Sequence, residues 1–166
     1  GAIYFPTGTY LVNSTLVIKD GTCIQGDGFD KTVIKAANGA NLVGVAWRGT
    51  VGASTTHSTL YPIIRTEENS KGIMMRGIGV YDNGAYTSGN GKTRVGILPY
   101  YTQGMSVVDC GSSHINWLDP ASGTMDYYAE CAGFGLYVFN ASNVRICGGH
   151  YEYGGYETCG VENSHD

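Results

Sequence analysis

Long apolar runs, basic clusters, proline and helical periodicity are all scarce in this chain, and each scarcity excludes something. No stretch of 18 or more apolar residues occurs, so no segment reads as a membrane-spanning helix and no membrane partner is expected. Lys and Arg number 10 against 14 Asp and Glu, for a net charge of −4. No basic cluster is available to neutralise phosphates, so nucleic acid is not an expected partner. Proline occurs only 4 times, which excludes a Pro-Gly disordered tract. The 5 Cys are odd in number and show no CxxC spacing, which argues against a zinc site. They read as small buried apolar residues, with one or two disulfides as the alternative in a secreted protein. Gly26-Asp27-Gly28 lacks the Lys-Ser/Thr of a phosphate loop.

What the chain does contain points to strands. Gly accounts for 26 of 166 residues, more than double the ordinary share of about 7%. Tyr is plentiful at 13, and hydrophobic residues make up 42%. That is enough for one domain with a real core. In the first third, short β-type runs follow one another: Ile3-Tyr4-Phe5, then Thr9 to Val12, Thr15 to Ile18, Thr22 to Gln25 and Thr32 to Lys35. Turn pairs such as Lys19-Asp20-Gly21 separate them.

The second half carries a repeat. Gly72-Ile73-Met74, Gly96-Ile97-Leu98, Gly135-Leu136-Tyr137 and Gly160-Val161-Glu162 start alike, at spacings of 24, 39 and 25 residues. The long spacing fits one period plus an inserted loop of roughly 14 residues. Short strands at such a period predict an all-β solenoid, a right-handed parallel β-helix. Residues 1–166 read as one β-helix domain. Residues 46–70 read as an excursion from the coil, and residues 111–131 as the inserted loop. Gly160 to Asp166 stops where another coil is expected, so the sequence reads as a partial domain of a longer chain, with open strand edges at that end.

The stretch Gly1 to Val12, with its Phe5-Pro6-Thr7-Gly8-Thr9-Tyr10 pattern, leads through Leu16-Val17-Ile18 to Cys23-Ile24-Gln25-Gly26-Asp27-Gly28 and Thr32-Val33-Ile34-Lys35. This resembles the opening coils of the pectate-lyase-like right-handed β-helix superfamily. It looks most like the branch of phage tailspikes, phage appendage proteins and related glycan-degrading enzymes. The resemblance implies a homotrimer, a virion location in a tail or appendage, and a bacterial surface polysaccharide as the partner. It also implies depolymerisation by hydrolysis or lyase cleavage. The rivals are an extracellular microbial polysaccharide lyase or glycoside hydrolase acting as a monomer, and a non-catalytic β-helix of a virion shaft or adhesin. No cofactor is expected, except calcium if the chain belongs to a lyase. Arg76, Arg94 and Arg145 flank the right region for such a site, but no Asp-x-Asp or Asp-Asp pair accompanies them.

Three groups of residues are candidates for chemistry. Val80-Tyr81-Asp82-Asn83-Gly84 aligns with Val107-Val108-Asp109-Cys110-Gly111, so Asp82 and Asp109 are predicted as a catalytic pair on adjacent coils. Stacked strands lie about 4.8 Å apart. Two carboxylates within about 5 Å suit a retaining glycosidase. An Asp after a strand also serves as an ordinary turn residue. The run from His150 to Glu157 offers Tyr151, Glu152, Tyr153 and Glu157 as a sugar platform, the rings stacking on pyranose faces. The same Tyr residues also suit coil edges. The inserted loop offers Trp117, Asp126 and Glu130 as groove lining, with packing on a neighbouring subunit as the other use.

Overall fold

A computed structural model describes residues 1–46, 59–82, 93–115, 133–152, 157–162 and 164. The described residues form sixteen strands and no helix. The chain winds through five coils, each of three main strands, with one short extra strand in coil 2. Coil 1 holds β1 (Ala2–Phe5), β2 (Gly8–Val12) and β3 (Leu16–Ile18). Coil 2 holds β4 (Cys23–Gly26), β5 (Thr32–Ala36), the short β6 (Val45–Ala46) and β7 (Thr59–Thr66). Coil 3 holds β8 (Lys71–Arg76), β9 (Gly79–Tyr81) and β10 (Thr93–Leu98). Coil 4 holds β11 (Gln103–Val108), β12 (Gly111–Ser113) and β13 (Gly133–Phe139). Coil 5 holds β14 (Ser142–Cys147), β15 (His150–Tyr151) and β16 (Glu157–Glu162).

Like strands stack in parallel into three sheets. Sheet A runs β1-β4-β8-β11-β14, sheet B runs β2-β5-β9-β12-β15, and sheet C runs β3-β7-β10-β13-β16. The pairing of β6 with β7 is antiparallel. This is the predicted right-handed parallel β-helix. Its interior is built from ladders of like residues. Leu16, Ile64, Ile97 and Leu136 stack in sheet C. Ile24, Met75 and Val107 stack in sheet A. Ile34 and Val80 stack in sheet B. Each such side chain is worth about 1.5–3 kcal/mol of burial, and each coil completes the core of the next.

A bare coil is short. Ala2 lies on Cys23, Gly8 on Thr32 and Leu136 on Cys159, so 21 to 24 residues suffice. The longer coils gain their extra chain in one place, between the sheet B strand and the sheet C strand. That is where residues 37–58, 82–92 and 114–132 fall. A second buried apolar cluster, built largely from sheet C and its flanks, includes Val45, Leu60, Val95, Tyr100, Phe134 and Phe139.

Register corrects several sequence expectations. Ile97 pairs with Leu136, so the glycines before them belong to one ladder. Gly72 instead lies in sheet A, and Gly160 pairs with Tyr137. The four Gly-apolar starts are therefore not one structural repeat. Their spacing matched the bare coil length because one winding returns to a similar strand environment. The excursion assigned to residues 46–70 is also too long. β7 sits in the middle of sheet C, and Ile63 and Ile64 are buried. The Ser, Thr and His content and the charged patch from Arg65 to Lys71 masked this strand. The inserted loop likewise starts later than residue 111, because Gly111–Ser113 form β12 between β9 and β15.

Candidate functional site on the outer face of sheet B

Side chains alternate across sheet B. Tyr10, Ile34, Val80, Ser112 and Tyr151 form one ladder, with Ile34 and Val80 in the core. Their neighbours face outward. One outer row runs Val33, Gly79, Gly111 and His150. The next runs Lys35, Tyr81 and Ser113. Glu152 continues that row, since its N–H donates to the Ser112 carbonyl at 3.0 Å.

Glycine opens this face to Phe29. A Cβ on Gly79 would sit 2.1 Å from the Phe29 carbonyl oxygen, and one on Gly111 would meet the Phe29 ring at 2.9 Å. Phe29 thus lies directly on the backbone of coils 3 and 4. Its ring stacks on His150, with centroids 6.1 Å apart and planes inclined by 15°.

Around that platform the polar groups converge. Glu152 Oε2 lies 3.0 Å from His150 Nε2, and Glu152 Oε1 accepts from the Ser113 hydroxyl at 3.2 Å. The Ser113 hydroxyl also lies 2.6 Å from His114 Nδ1. The hydrogen bond from His150 holds the Glu152 carboxyl below its usual range. Burial opposes this, and the Ser113 hydroxyl and the two imidazole charges add to the lowering. Burial pushes the Tyr81 phenol up, and the charges of Glu152 and Asp30 reinforce it, so Tyr81 keeps its proton. One coil below His114, Asp82 donates its N–H to the Ser113 carbonyl at 3.4 Å. Its carboxylate, with the side chain 10% exposed, lies 3.9 Å from Arg94 Nε. Arg94 Nη1 is buried without a hydrogen-bond partner. The face therefore combines two carboxylates, two imidazoles, a phenol, a guanidinium and an aromatic ring. Such a set can grip sugar hydroxyls and move protons.

The predicted residues divide between this face and elsewhere. Asp82 and Glu152 belong to it. Asp109 does not, and the expected Asp82–Asp109 pair is not formed. Arg76, Val108 and Cys147 are in register, which puts Asp109 level with Gly77 and Gly148 at the corner between sheets A and B. All three residues have positive φ, of 48°, 62° and 69° respectively. Asp109 serves there as a turn residue, a conformation that Asp tolerates. Asp82 is level with His114 instead, so the retaining-glycosidase spacing argued for the pair has no basis here. Tyr151 packs into the coil interior rather than offering its ring to a ligand, because it occupies the inward phase of β15. Glu157 lies on sheet C, where it pairs with Phe134. Tyr153, Trp117, Asp126 and Glu130 lie outside the described residues. Ser113, His114 and Tyr81 escaped the sequence reading. Aligning Tyr81-Asp82 with Ser113-His114 would have found them.

No group of three or more His, Cys, Asp or Glu side chains converges as a metal site among the described residues.

Residues 1–76 match the family described as rhamnogalacturonase A/epimerase, pectate lyase-like. No curated protein matches significantly. Among solved structures, ORF18 of Geobacillus virus E2 is similar over 91% of this chain, at 17% identity and a TM-score of 0.55. This chain spans 22% of that protein's length. The A-module of the mannuronan C-5 epimerase AlgE6 of Azotobacter vinelandii is similar over 99% of this chain and 49% of its own, at 13% identity and a TM-score of 0.41. The opening coils, residues 1–76, thus match that family's model, and the three parallel sheets wound as five coils give the described residues a parallel β-helix fold.

Proposed function

We propose that this chain is part of a phage tail appendage that binds a bacterial surface polysaccharide and cleaves it on the outer face of sheet B. The observation that carries the reading is the cluster of Glu152, His150, Ser113 and His114, flanked by Asp82 and Arg94. An extended glycan lying across coils 3 to 5 meets each of these groups in turn. Phe29 and Tyr81 offer ring faces and a hydroxyl to the sugar. The Asp82–Arg94 pair holds hydroxyls by charge-assisted hydrogen bonds. Glu152 stays ionised and orients the imidazoles. The phage assignment draws support from the likeness to the viral ORF18 fold. The homotrimer expected of such appendages is part of the proposal.

The test is release of reducing ends from a panel of purified capsules and lipopolysaccharides. Wild-type protein should cleave at least one glycan. Glu152→Gln should lower kcat by about 100-fold or more, the scale of a lost acid–base arrangement. Cleavage that survives unchanged in Glu152→Gln would exclude this face as the site. A monomer in sedimentation would favour the secreted lyase or hydrolase over the appendage.

A further inference from the structure

We propose that His114 is the proton acceptor of this face, and that Ser113 and Glu152 are positioning residues that hold its ring in the Nδ1–H tautomer. The proton-accepting role rests on the polysaccharide-cleaving reading above; the tautomer does not.

The inference follows from counting protons. An ionised carboxylate only accepts, so Ser113 must be the donor in its 3.2 Å contact with Glu152 Oε1. A hydroxyl has one proton. The 2.6 Å contact between Ser113 Oγ and His114 Nδ1 must then draw its proton from the imidazole. Nδ1 therefore carries hydrogen, and in the neutral ring Nε2 carries the basic lone pair. A carboxylate that fixes a histidine tautomer from behind is the logic of a catalytic triad. Here a serine hydroxyl is inserted between the two.

The backbone fixes where the His114 ring sits. His114 is exposed and has φ of 56°, the left-handed region that His, like Asn and Asp, enters more readily than most residues. The carbonyls of Ser112 and Ser113 accept from the N–H groups of Glu152 and Asp82, on the coils above and below. The chain before His114 is thus pinned from both sides.

The chemistry balances without a cofactor. A water O–H bond breaks and its proton bonds to Nε2. The water oxygen bonds to the anomeric carbon, and the glycosidic oxygen leaves with the bonding pair and takes a proton from solvent. The imidazolium so formed is stabilised by Glu152 through Ser113. Among the described residues, the other charged or titratable neighbours on this face include His150, Tyr81, Lys35, Asp82, Arg94 and Asp30.

Two measurements test the proposal. Long-range proton–nitrogen NMR of the neutral His114 ring reads the tautomer without any substrate. Wild type should show hydrogen on Nδ1. Ser113→Ala should move it toward Nε2, and Ser113→Thr should restore it. Hydrogen on Nε2 in wild type overturns the relay. On a glycan that the protein cleaves, His114→Gln should lower kcat by about 100-fold or more with little change in KM. Ser113→Ala should lower kcat less and alter the acid limb of the pH profile, with Ser113→Thr restoring both. Full kcat in His114→Gln overturns the catalytic assignment. The Nδ1–H tautomer with no cleavage on the whole panel leaves the relay standing and overturns the polysaccharide reading, and with it the proton-accepting role.

Discussion

The attachment of coil 5 to coil 4 can be tested at one glycine. Gly149 has φ of 92°, and a Cβ there would sit 1.9 Å from the Cys110 carbonyl oxygen. That oxygen accepts the His150 N–H at 3.1 Å. Gly149→Ala cannot be relieved by turning a flexible side chain, because the obstacle is backbone. The strand β15 must lift away. The left-handed conformation costs about 1–2 kcal/mol for Ala. Overpacking adds about 1–3 kcal/mol, and the lost hydrogen bond about 1 kcal/mol. A net destabilisation of about 3–6 kcal/mol should lower Tm by about 6–24 °C at this chain length. Gly39→Ala is the control. Its φ is also positive, at 73°, but no atom lies within 4 Å of the added Cβ. It should cost only the strain of about 1–2 kcal/mol. Thermal unfolding of both variants isolates the clash. Hydrogen exchange should show faster opening at His150 and Glu152 in Gly149→Ala, and little change in coils 1 and 2, because a solenoid passes strain mainly to its neighbours. Equal Tm values for the two variants would refute the reasoning.

Further predictions concern single groups. Glu152 has a folded-state pKa below its unfolded one. It therefore contributes stability above the ordinary carboxylate range, and that contribution is lost as pH falls through the folded value. The Tm difference between wild type and Glu152→Gln should accordingly be present at neutral pH and close on acidification; a constant difference would contradict it. Asp109→Gly should change stability by no more than about 1 kcal/mol, since relief of the left-handed strain offsets the greater freedom of the unfolded chain. It should also leave glycan cleavage intact, and loss of cleavage would return Asp109 to the site. Burial pushes the Cys110 thiol up to about 11, so iodoacetamide at neutral pH should label exposed Cys147 well before Cys110. Equal labelling rates in the folded protein would show that coil 4 opens readily.

Much of the fold was legible in the sequence because it depends on composition and short-range signals. Frequent Gly, short runs such as Leu16-Val17-Ile18 and the absence of helical periodicity determined stacked strands. The aromatic-Pro-x-Gly opening resembled the family whose model residues 1–76 match. Register was not legible, because it depends on how each corner is turned. Asp109 takes a left-handed corner that Gly77 and Gly148 take on the neighbouring coils, so the similar Val-x-Asp-x-Gly runs mark different places on the winding. A shift of register reassigns every side chain. It parted Asp82 from Asp109, turned Tyr151 inward, and brought His114 level with Asp82. The strand β7 went unread for a similar reason, since its polar and charged flanks gave way to the packing of Ile63 and Ile64 in the core. The sequence by itself determined that strands form and coil. Only the stacking of coils decided which polar groups share a face, because residues 30 to 40 apart in the chain, such as Ser113 and Glu152, meet through that stacking alone.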